Sequence, residues 1–329
     1  MRLIRIVAVL LLFAALAAAA LQYFLNRPFA SFQREAFVEI PKGASTREIA
    51  GMLAEAGVIE HPWEFLLNRA WRQSAKLQAG EYRFAAPASA LTVYSRIVRG
   101  DVYYRELSIP EGQNMFDIAS AVESMGLMPA AEFLAAARDP SLIRDIAPSA
   151  PSLEGYMFPD TYRVTRHTGA RELCRMLTQR FRAEWERQGA SADVHQTVTL
   201  ASLIEKEAAV PADRPLIASV FHNRLKLEMK LDCDPTTVYA AILEGRYRGK
   251  IHQSDLASRN RYNTYQHAGL PPGPIASPGA ASLRAALAPA ETDYLYFVAR
   301  PDGSGRHEFS KNIAAHRQAA TRYRRGVAR

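Results

Sequence analysis

An apolar stretch at the N-terminus restricts this chain more than any other feature. Residues Ile6–Leu25 contain only one strongly polar side chain, Gln22. A helix of about 20 apolar residues is long enough to cross the hydrocarbon layer of a bilayer. Two arginines precede the stretch, and Tyr23 lies at its far end, where aromatic rings favour the membrane interface. The pattern predicts a transmembrane anchor at residues 6–25, with residues 1–5 as a cytoplasmic stub.

Three alternatives fit this stretch. It can be an uncleaved signal anchor, a secretory signal cut near the alanine run, or a buried helix of a soluble domain. Its length and its Tyr-Phe-Leu end favour the anchor, although Arg27 and Arg34 on the far side weaken the charge asymmetry that would orient it. No cysteine closes the stretch, so a lipid-modified N-terminus has no attachment point. With an anchor or a signal, the remaining residues lie outside the cytoplasm.

The rest of the chain has a globular composition. Of the 329 residues, 48% are hydrophobic and 22% are charged, which suits about two domains with real cores. The formal net charge is +8, and without the three arginines of residues 1–27 it is +5, from 38 basic and 33 acidic residues. Nucleic-acid binding, which needs Lys and Arg clustered on one face, is not indicated. The two cysteines, Cys174 and Cys233, exclude a disulfide scaffold and a thiolate metal cluster, and whether they pair stays open.

The first half of the chain contains an internal repeat. Residues 37–66 read FVEIPKGASTREIAGMLAEAGVIEHPWEFL, and residues 106–134 read ELSIPEGQNMFDIASAVESMGLMPAAEFL. The Ile-Pro, Gly, Ile-Ala and Gly positions recur after 69 residues, and the final Phe-Leu pair recurs after 68. Each copy predicts a short strand, a Pro/Gly turn, an amphipathic helix that stops at glycine and a second helix. In the first copy, Ile49, Leu53 and Ala56 mark the predicted buried stripe.

A strand returning through residues 80–84 would complete a strand–helix–helix–strand unit. This order resembles the LysM module, which binds N-acetylated glycan chains. We therefore expect a LysM-like module at residues 35–104, and a second repeat unit with a linker at residues 105–165. The alternative is a duplicated structural unit without a ligand, which would brace the rest of the chain.

The second half holds one helix with an informative distribution of charge. The run VHQTVTLASLIEKEAA follows a capping residue, Asp193 or Ser191, and stops before Pro211. On a helical wheel its apolar side chains form a wide arc, with Glu205 inside one half and Glu207 near the opposite edge. A carboxyl group at the margin of an apolar face loses hydration, which raises its pKa and suits it to donate a proton near neutral pH. The wheel does not choose between the glutamates, and both can be solvated or ion-paired acids at a helix end.

One further segment carries side chains of a kind that suits sugar binding. Asn263 and Tyr265 precede the loop GLPPGPIASPG at residues 269–279, which is so dense in Pro and Gly that its conformation is restricted. Such a loop favours a role in shaping a groove, and the adjacent amide and phenol groups can grip a sugar. The aromatic-rich segment EGYMFPDTY begins at Glu154. Near its end the chain has a predicted strand at residues 293–299, a turn and the motif HEFS.

Together these motifs resemble those of the MltG (YceG-like) endolytic murein transglycosylase family. The motifs are LASLIEKEA, FHNRL, DPTTVYA, NTY, GLPPGPIASPG, YLYFVA and HEFS, and with the N-terminal stretch they extend over essentially the whole chain. The resemblance implies an α+β protein with a single-pass anchor in the inner membrane and a periplasmic catalytic domain at residues 166–329. It implies a lyase that cleaves nascent peptidoglycan strands between N-acetylmuramic acid and N-acetylglucosamine. The product would carry a 1,6-anhydromuramic end, and the cleavage would terminate strand elongation.

In the family's Glu-Lys-Glu motif the second glutamate is catalytic, and it corresponds to Glu207. One carboxyl group suffices in this reaction because the muramic 6-hydroxyl is the nucleophile. Glu207 would protonate the glycosidic oxygen and then take the proton of that hydroxyl. The candidates for substrate binding are Glu154, Asp234, Asn263 and Tyr265, and a structural role is open for each of them.

Two other functions stay open. A lysozyme-like hydrolase would use Glu207 as acid and Asp232 or Asp234 as base. A non-catalytic scaffold would bind peptidoglycan through the repeats and wall-synthesis proteins through its second half. Cys233 departs from the family pattern, in which a small polar residue is more usual before the aspartate. The expected partners are peptidoglycan strands, the membrane and wall-synthesis proteins, and not nucleic acid.

No cofactor and no metal are expected. The sequence contains no HExxH or GxSxG motif, and its eight histidines are scattered. The segment GRYRGKI at residues 245–251 is one residue short of a phosphate-binding loop and lacks the Ser or Thr.

Overall fold

The N-terminal apolar stretch is helical. Helix α1 covers Arg2–Asn26 in the computed structural model, which describes residues 2–72 and 75–327. Residues Arg5–Asn26 have a mean hydropathy of 2.4, and no part of their most apolar window is buried within the described residues. The helix is therefore long and apolar enough to cross a membrane, and it is not a buried core helix. Met1 of the predicted stub and residues 328–329 of the predicted catalytic domain lie outside the described residues.

The chain forms two units, the first ending at Arg105 and the second beginning at Glu106. After α1 the first unit contains β1 Ala36–Ile40, α2 Thr46–Glu55, α3 Pro62–Trp71, β2 Gly80–Phe84 and α4 Ala90–Arg99. Strands β1 and β2 pair antiparallel, with Ala36 opposite Phe84. The strand–helix–helix–strand order predicted for the first repeat copy is therefore present.

The first unit has its own hydrophobic core. Alternate side chains of β1 point inward, which is the period-two pattern of a half-buried strand. From α2, Ile49 and Leu53 are buried as the sequence predicts, whereas Ala56 is half-buried. Phe65 of α3 and Tyr94 of α4 pack edge to face with their ring centroids 5.3 Å apart. These contacts hold both helices against the two-stranded sheet.

Within the described residues the second unit contains two short sheets, nine α-helices and the 3₁₀ helices Pro140–Leu142 and Pro211–Asp213. Its elements are β3 Arg105–Ile109, α5 Met115–Ser124, α6 Ala130–Ala137, β4 Asp160–Val164, α7 Ala170–Gln188, α8 Val194–Glu207, α9 Arg214–Lys226, α10 Asp234–Leu243, α11 Gln253–Leu256, α12 Ala280–Leu287, β5 Tyr296–Ala299, β6 His307–Ser310 and α13 Ile313–Val327. Strand β3 pairs with β4, and β5 pairs with β6. The mixture of helices and small sheets confirms the predicted α+β class.

The two repeat copies share their local geometry. Gly57 and Gly126, which end the first helix of each copy, have φ values of 69° and 67°, a conformation that favours glycine. Ser45 and Asn114 begin those helices, and each forms a capping box with the acidic residue three positions later. The sequence repeat is therefore also a structural repeat.

The second copy belongs to the large core of the second unit, whereas the first copy belongs to the separate core of the first unit. Ile109 and Phe133 belong to the same buried cluster as residues of α7, α8 and α9. Ala147 and Ala150, near the end of the region predicted to hold the second repeat unit and a linker, are also buried in this cluster. The finer division of the chain into domains stays a prediction.

Candidate active site

Helix α8 carries the predicted catalytic glutamate at its last position. Asp193 caps the helix, and its Oδ1 accepts the backbone N–H of Gln196 at 2.8 Å. All residues from 197 to 204 are buried, and Ala208 leaves the helix in an extended conformation. The buried helix therefore holds Glu207 at the boundary between the core and solvent.

Glu207 lines a cavity of about 480 Å³ in the second unit, called the Glu207 cavity below. Its lining side chains are Glu207, Arg224, Leu231, Asp232, Asp234, Tyr265, Tyr296, Phe297, Val298, Ala299, His307, Ile313, His316 and Tyr323. Three of the predicted site residues, Glu207, Asp234 and Tyr265, are thus brought together. Aromatic rings beside hydrogen-bonding groups are a lining that suits a sugar.

Burial raises the pKa of Glu207 to about 7, because the carboxyl group has lost most of its hydration. A hydrogen bond with the Cys233 thiol lowers this pKa by a smaller amount, and the negative charge of Asp234 raises it. At pH 7 roughly half of the molecules carry a protonated Glu207. The group can therefore donate a proton in one form and accept one in the other.

Glu205 has a different environment. Its side chain is 6% exposed and is not among the described residues that line the Glu207 cavity. Its Oε1 accepts a hydrogen bond from Arg214 Nη2 at 3.1 Å, and its Oε2 accepts the backbone N–H of Gly279 at 3.0 Å. Glu205 therefore neutralises a buried guanidinium and caps the start of α12, which is a structural role.

Both aspartates of the cavity are already engaged. The Tyr265 hydroxyl donates to Asp234 Oδ1 at 2.6 Å, and burial together with this contact raises the pKa of Tyr265. Asp232 Oδ2 lies 3.1 Å from Arg224 Nη1. Asp232 also has a φ of 48°, a left-handed conformation that is uncommon outside glycine.

The remaining two predicted residues, Glu154 and Asn263, are 1% and 0% exposed and lie inside the protein. Glu154 accepts hydrogen bonds from the Met115 backbone N–H and the Tyr239 hydroxyl, both at 2.9 Å. Burial raises the pKa of Glu154 to about 7. The amide of Asn263 donates to three backbone carbonyls within residues 255–258. Both side chains are engaged in hydrogen bonds within the protein, and their role in substrate binding stays a prediction.

A cavity-lining histidine that is paired with a buried aspartate escaped the sequence analysis, which found no pattern among the histidines. His307 Nδ1 lies 2.9 Å from Asp213 Oδ2, and the same oxygen accepts the His307 backbone N–H at 2.7 Å. An aspartate at Nδ1 orients the ring and fixes which nitrogen carries the proton. The HEFS motif that carries His307 was the signal available in the sequence.

Arg224 of the FHNRL motif was also missed. Its guanidinium lies 5.0 Å from the centroid of the Tyr296 ring, which in turn stacks on His316 at 5.2 Å. Arg224 Nη1 donates to the carbonyls of residues 230 and 231, each at 3.0 Å, and Nε donates to the Leu295 carbonyl at 2.6 Å. Arg224 therefore ties the segment before α10 to the strand β5.

A second, smaller cavity of about 290 Å³ adjoins the first at Asp234, which lines both. Lys206 and Tyr247 line it, as does Ile275 from the Pro/Gly-rich loop. Ser202 of α8 holds this loop by accepting the Ile275 backbone N–H at 3.1 Å. The rigid loop thus contributes to a cavity wall beside the candidate site.

Within residues 2–72 and 75–327, no group of three or more His, Cys, Asp or Glu side chains could hold a metal ion. Cys174 and Cys233 are buried free thiols, so they are not bonded to each other.

Comparisons with known proteins show which family the chain resembles. The sequence model of the YceG-like family matches residues 38–322. An endolytic murein transglycosylase of Bacillus subtilis is 32% identical over 309 residues, which cover 87% of this chain and 84% of that protein. An endolytic murein transglycosylase of Streptococcus pneumoniae is 27% identical, with 85% of this chain and 58% of that protein covered. The crystal structure of a YceG-like protein from Listeria monocytogenes matches with a TM-score of 0.56 and 32% identity, covering 87% of this chain and 99% of that one.

Proposed function

The chain belongs to the YceG-like family and is an endolytic murein transglycosylase by relationship, and we propose that Glu207 is its single acid–base group. The observation that carries the proposal is a cavity in which one carboxyl group has a pKa of about 7. The other two carboxyl groups of that cavity are engaged, Asp232 by Arg224 and Asp234 by Tyr265. We further propose that the product carries a 1,6-anhydromuramic end and that cleavage terminates strand elongation.

The reaction needs one protein carboxyl group in two protonation states. Hydrolysis of a glycoside uses two carboxyl groups, but in a lytic reaction the substrate's own 6-hydroxyl replaces the second. Protonated Glu207 donates its proton to the glycosidic oxygen, and the bond from C1 of the muramic residue breaks with its electron pair going to that oxygen. The Glu207 carboxylate then takes the proton of the 6-hydroxyl. The oxygen of that hydroxyl, and not the carboxylate, forms the new bond with C1. Glu207 is protonated again, and no water is consumed.

The other site residues have separate roles in this proposal. Asp234 and Tyr265 bind substrate as a hydrogen-bonded pair, and the negative charge of Asp234 stabilises the positive charge that develops at C1. Glu154 and Asn263 position other groups. Glu154 holds the start of α5, and Asn263 Oδ1 accepts the backbone N–H of Tyr265 at 3.1 Å.

We propose that α1 is an uncleaved anchor in the inner membrane and that the rest of the chain is periplasmic. In support, Leu25 is only 4% exposed, and Phe29 forms a backbone bridge with Ala88, so the end of α1 is part of the first unit. A signal sequence that is cut away has no need of such contacts. The strand–helix–helix–strand order of both repeat copies supports LysM-like glycan binding. Wall-synthesis proteins are the proposed protein partners.

The test is mass spectrometry of glycan ends after incubation of the full chain, in detergent, with uncrosslinked peptidoglycan. We expect anhydromuramic ends, lighter by one water than the ends that hydrolysis leaves, and none with Glu207→Gln. Reducing ends would instead indicate a hydrolase with Asp232 or Asp234 as base. A folded chain that binds peptidoglycan without cleaving it would indicate a scaffold.

A further inference from the structure

The end of α3 lies beside the last turns of α1 in the first unit. A cleft of about 410 Å³ is lined by Ala18, Leu21 and Leu25 on one side and by Trp71 and Arg72 on the other. Between residue 18 and the end of α1 the helix rises about 12 Å. The end of α3 is therefore alongside the apolar stretch and not beyond it.

Trp71 exposes a large aromatic surface at this place. Its side chain is 75% exposed, more than any other large hydrophobic side chain among the described residues. A single exposed aromatic ring needs no partner, but a ring that continues the uncovered apolar surface of α1 is part of a larger apolar patch, which is typical of a membrane or partner interface. Arg72 is exposed next to it, and Tyr23 of α1 is 64% exposed. Tryptophan, tyrosine and arginine together are typical of residues at the surface of a bilayer.

Contacts within the first unit hold α3 at both of its ends. The Arg72 carbonyl accepts the hydroxyl of the buried Tyr94 at 3.2 Å. Arg27, just after α1, lies over the Phe24 ring at 5.5 Å and forms an ion pair with Glu60, which precedes α3. The exposure of Trp71 is therefore a property of a fixed helix end.

We propose that the end of α3, with Trp71 and Arg72, docks into the headgroup layer of the outer leaflet beside α1. The proposal rests on the proposed anchoring of α1. The Trp71 ring then occupies the boundary between acyl chains and headgroups, and the Arg72 guanidinium reaches the lipid phosphates. Lipid is the occupant because the surface is continuous with α1, whose apolar window is uncovered by protein within the described residues. Docking holds the first unit against the bilayer.

Tryptophan fluorescence can test the proposal, because the chain contains three tryptophans, Trp63, Trp71 and Trp185. Replacing two of them with phenylalanine leaves one. Each single-tryptophan full chain is reconstituted in phosphatidylcholine–phosphatidylglycerol vesicles whose acyl chains carry bromine near the headgroups. Trp185 is the matched control, because it stacks on Phe181 in the second unit with centroids 6.3 Å apart.

We expect brominated lipid to reduce the Trp71 emission at least about twofold, since a ring at the interface touches the quencher. The emission of Trp185 should be nearly unchanged. Flotation first shows that the chain has entered the vesicles. Equal quenching of Trp71 and Trp185 in those vesicles would then overturn the proposed docking of α3 but not the proposed anchor. A Trp71 emission that is blue-shifted but not quenched would show that protein, such as a second copy of the chain, covers the cleft. That result would also overturn the proposed docking to lipid. A chain that does not float with vesicles would overturn both proposals.

Discussion

The two glutamates at the end of α8 stand two residues apart in opposite surroundings. Glu205 is bound by the Arg214 guanidinium and the Gly279 backbone N–H, so its negative charge is compensated. Glu207 faces a cavity in which burial raises its pKa to about 7, so its negative charge is disfavoured. The comparison teaches that the environment, and not helix position, separates an acid that stabilises the fold from one suited to proton transfer.

The largest expected difference between the two is in activity. Glu207→Gln removes the transferable proton, and we expect a loss of about a thousandfold or more in the rate of anhydromuramic end formation. Glu205→Gln keeps the shape of the side chain outside the cavity, and we expect less than about a tenfold loss. Initial rates of both variants on the same peptidoglycan test this. Equal losses would contradict the assignment of Glu207.

The next difference is in stability, where Glu205 should matter more. Glu205→Gln leaves the Arg214 guanidinium, whose side chain is 12% exposed, without its buried counter-charge. We expect a loss of about 2–4 kcal/mol in the free energy of unfolding of the second unit. Urea unfolding followed by Trp185 fluorescence, in chains whose Trp63 and Trp71 are replaced with phenylalanine, measures it. The matched control is Glu111→Gln, because the Glu111 carboxylate lies 3.7 Å from the same guanidinium but is 50% exposed. This substitution should lower the free energy of unfolding by less than about 1 kcal/mol. Equal losses would show that burial of the pair is unimportant.

The elements that the sequence predicted well are set by local signals. The Asp193 cap, the stops at Gly57 and Gly126 and the strand β2 each depend on neighbouring residues, so the repeat could be parsed without a structure. The shared core of the second copy was not predictable, because Ile109 packs into a cluster whose other members lie far along the chain.

The same limit applies to the site. The wheel placed both glutamates at the edge of an apolar face, but the amide that binds Glu205 comes from 74 residues away. His307, which lines the cavity, and its partner Asp213 are separated by 94 residues. Only the family resemblance distinguished Glu207 from Glu205. The contacts that give the two glutamates different environments come from distant parts of the chain, so no local sequence pattern reveals them.

Substitution of Glu207 should change the free energy of unfolding in the opposite direction, so that the variant is more stable than the natural chain. The pKa of Glu207 is raised from an ordinary value of 4.5 to about 7, so between these values the folded state binds more protons than the unfolded state. Stability therefore falls as the pH rises through this window, by up to about 3 kcal/mol. Because glutamine cannot ionise, we expect Glu207→Gln to be more stable than the natural chain by about 3 kcal/mol at pH 8 and by less than about 1 kcal/mol at pH 5. Unfolding at both pH values measures this, and a gain independent of pH would contradict it.

The smallest expected effect tests what tunes Glu207. The hydrogen bond with the Cys233 thiol lowers the pKa of Glu207, because a donor stabilises the carboxylate. Cys233→Ala removes this donor, so the pH above which activity falls should rise by about half a unit, whereas Cys233→Ser, a stronger donor, should lower it by a similar amount. Rates at low substrate between pH 5 and about 9 measure the shift. Cys174→Ala, at the other buried thiol, is the control and should leave the profile unmoved. If both Cys233 variants moved the profile in the same direction, altered packing around Glu207, and not the hydrogen bond, would set its pKa.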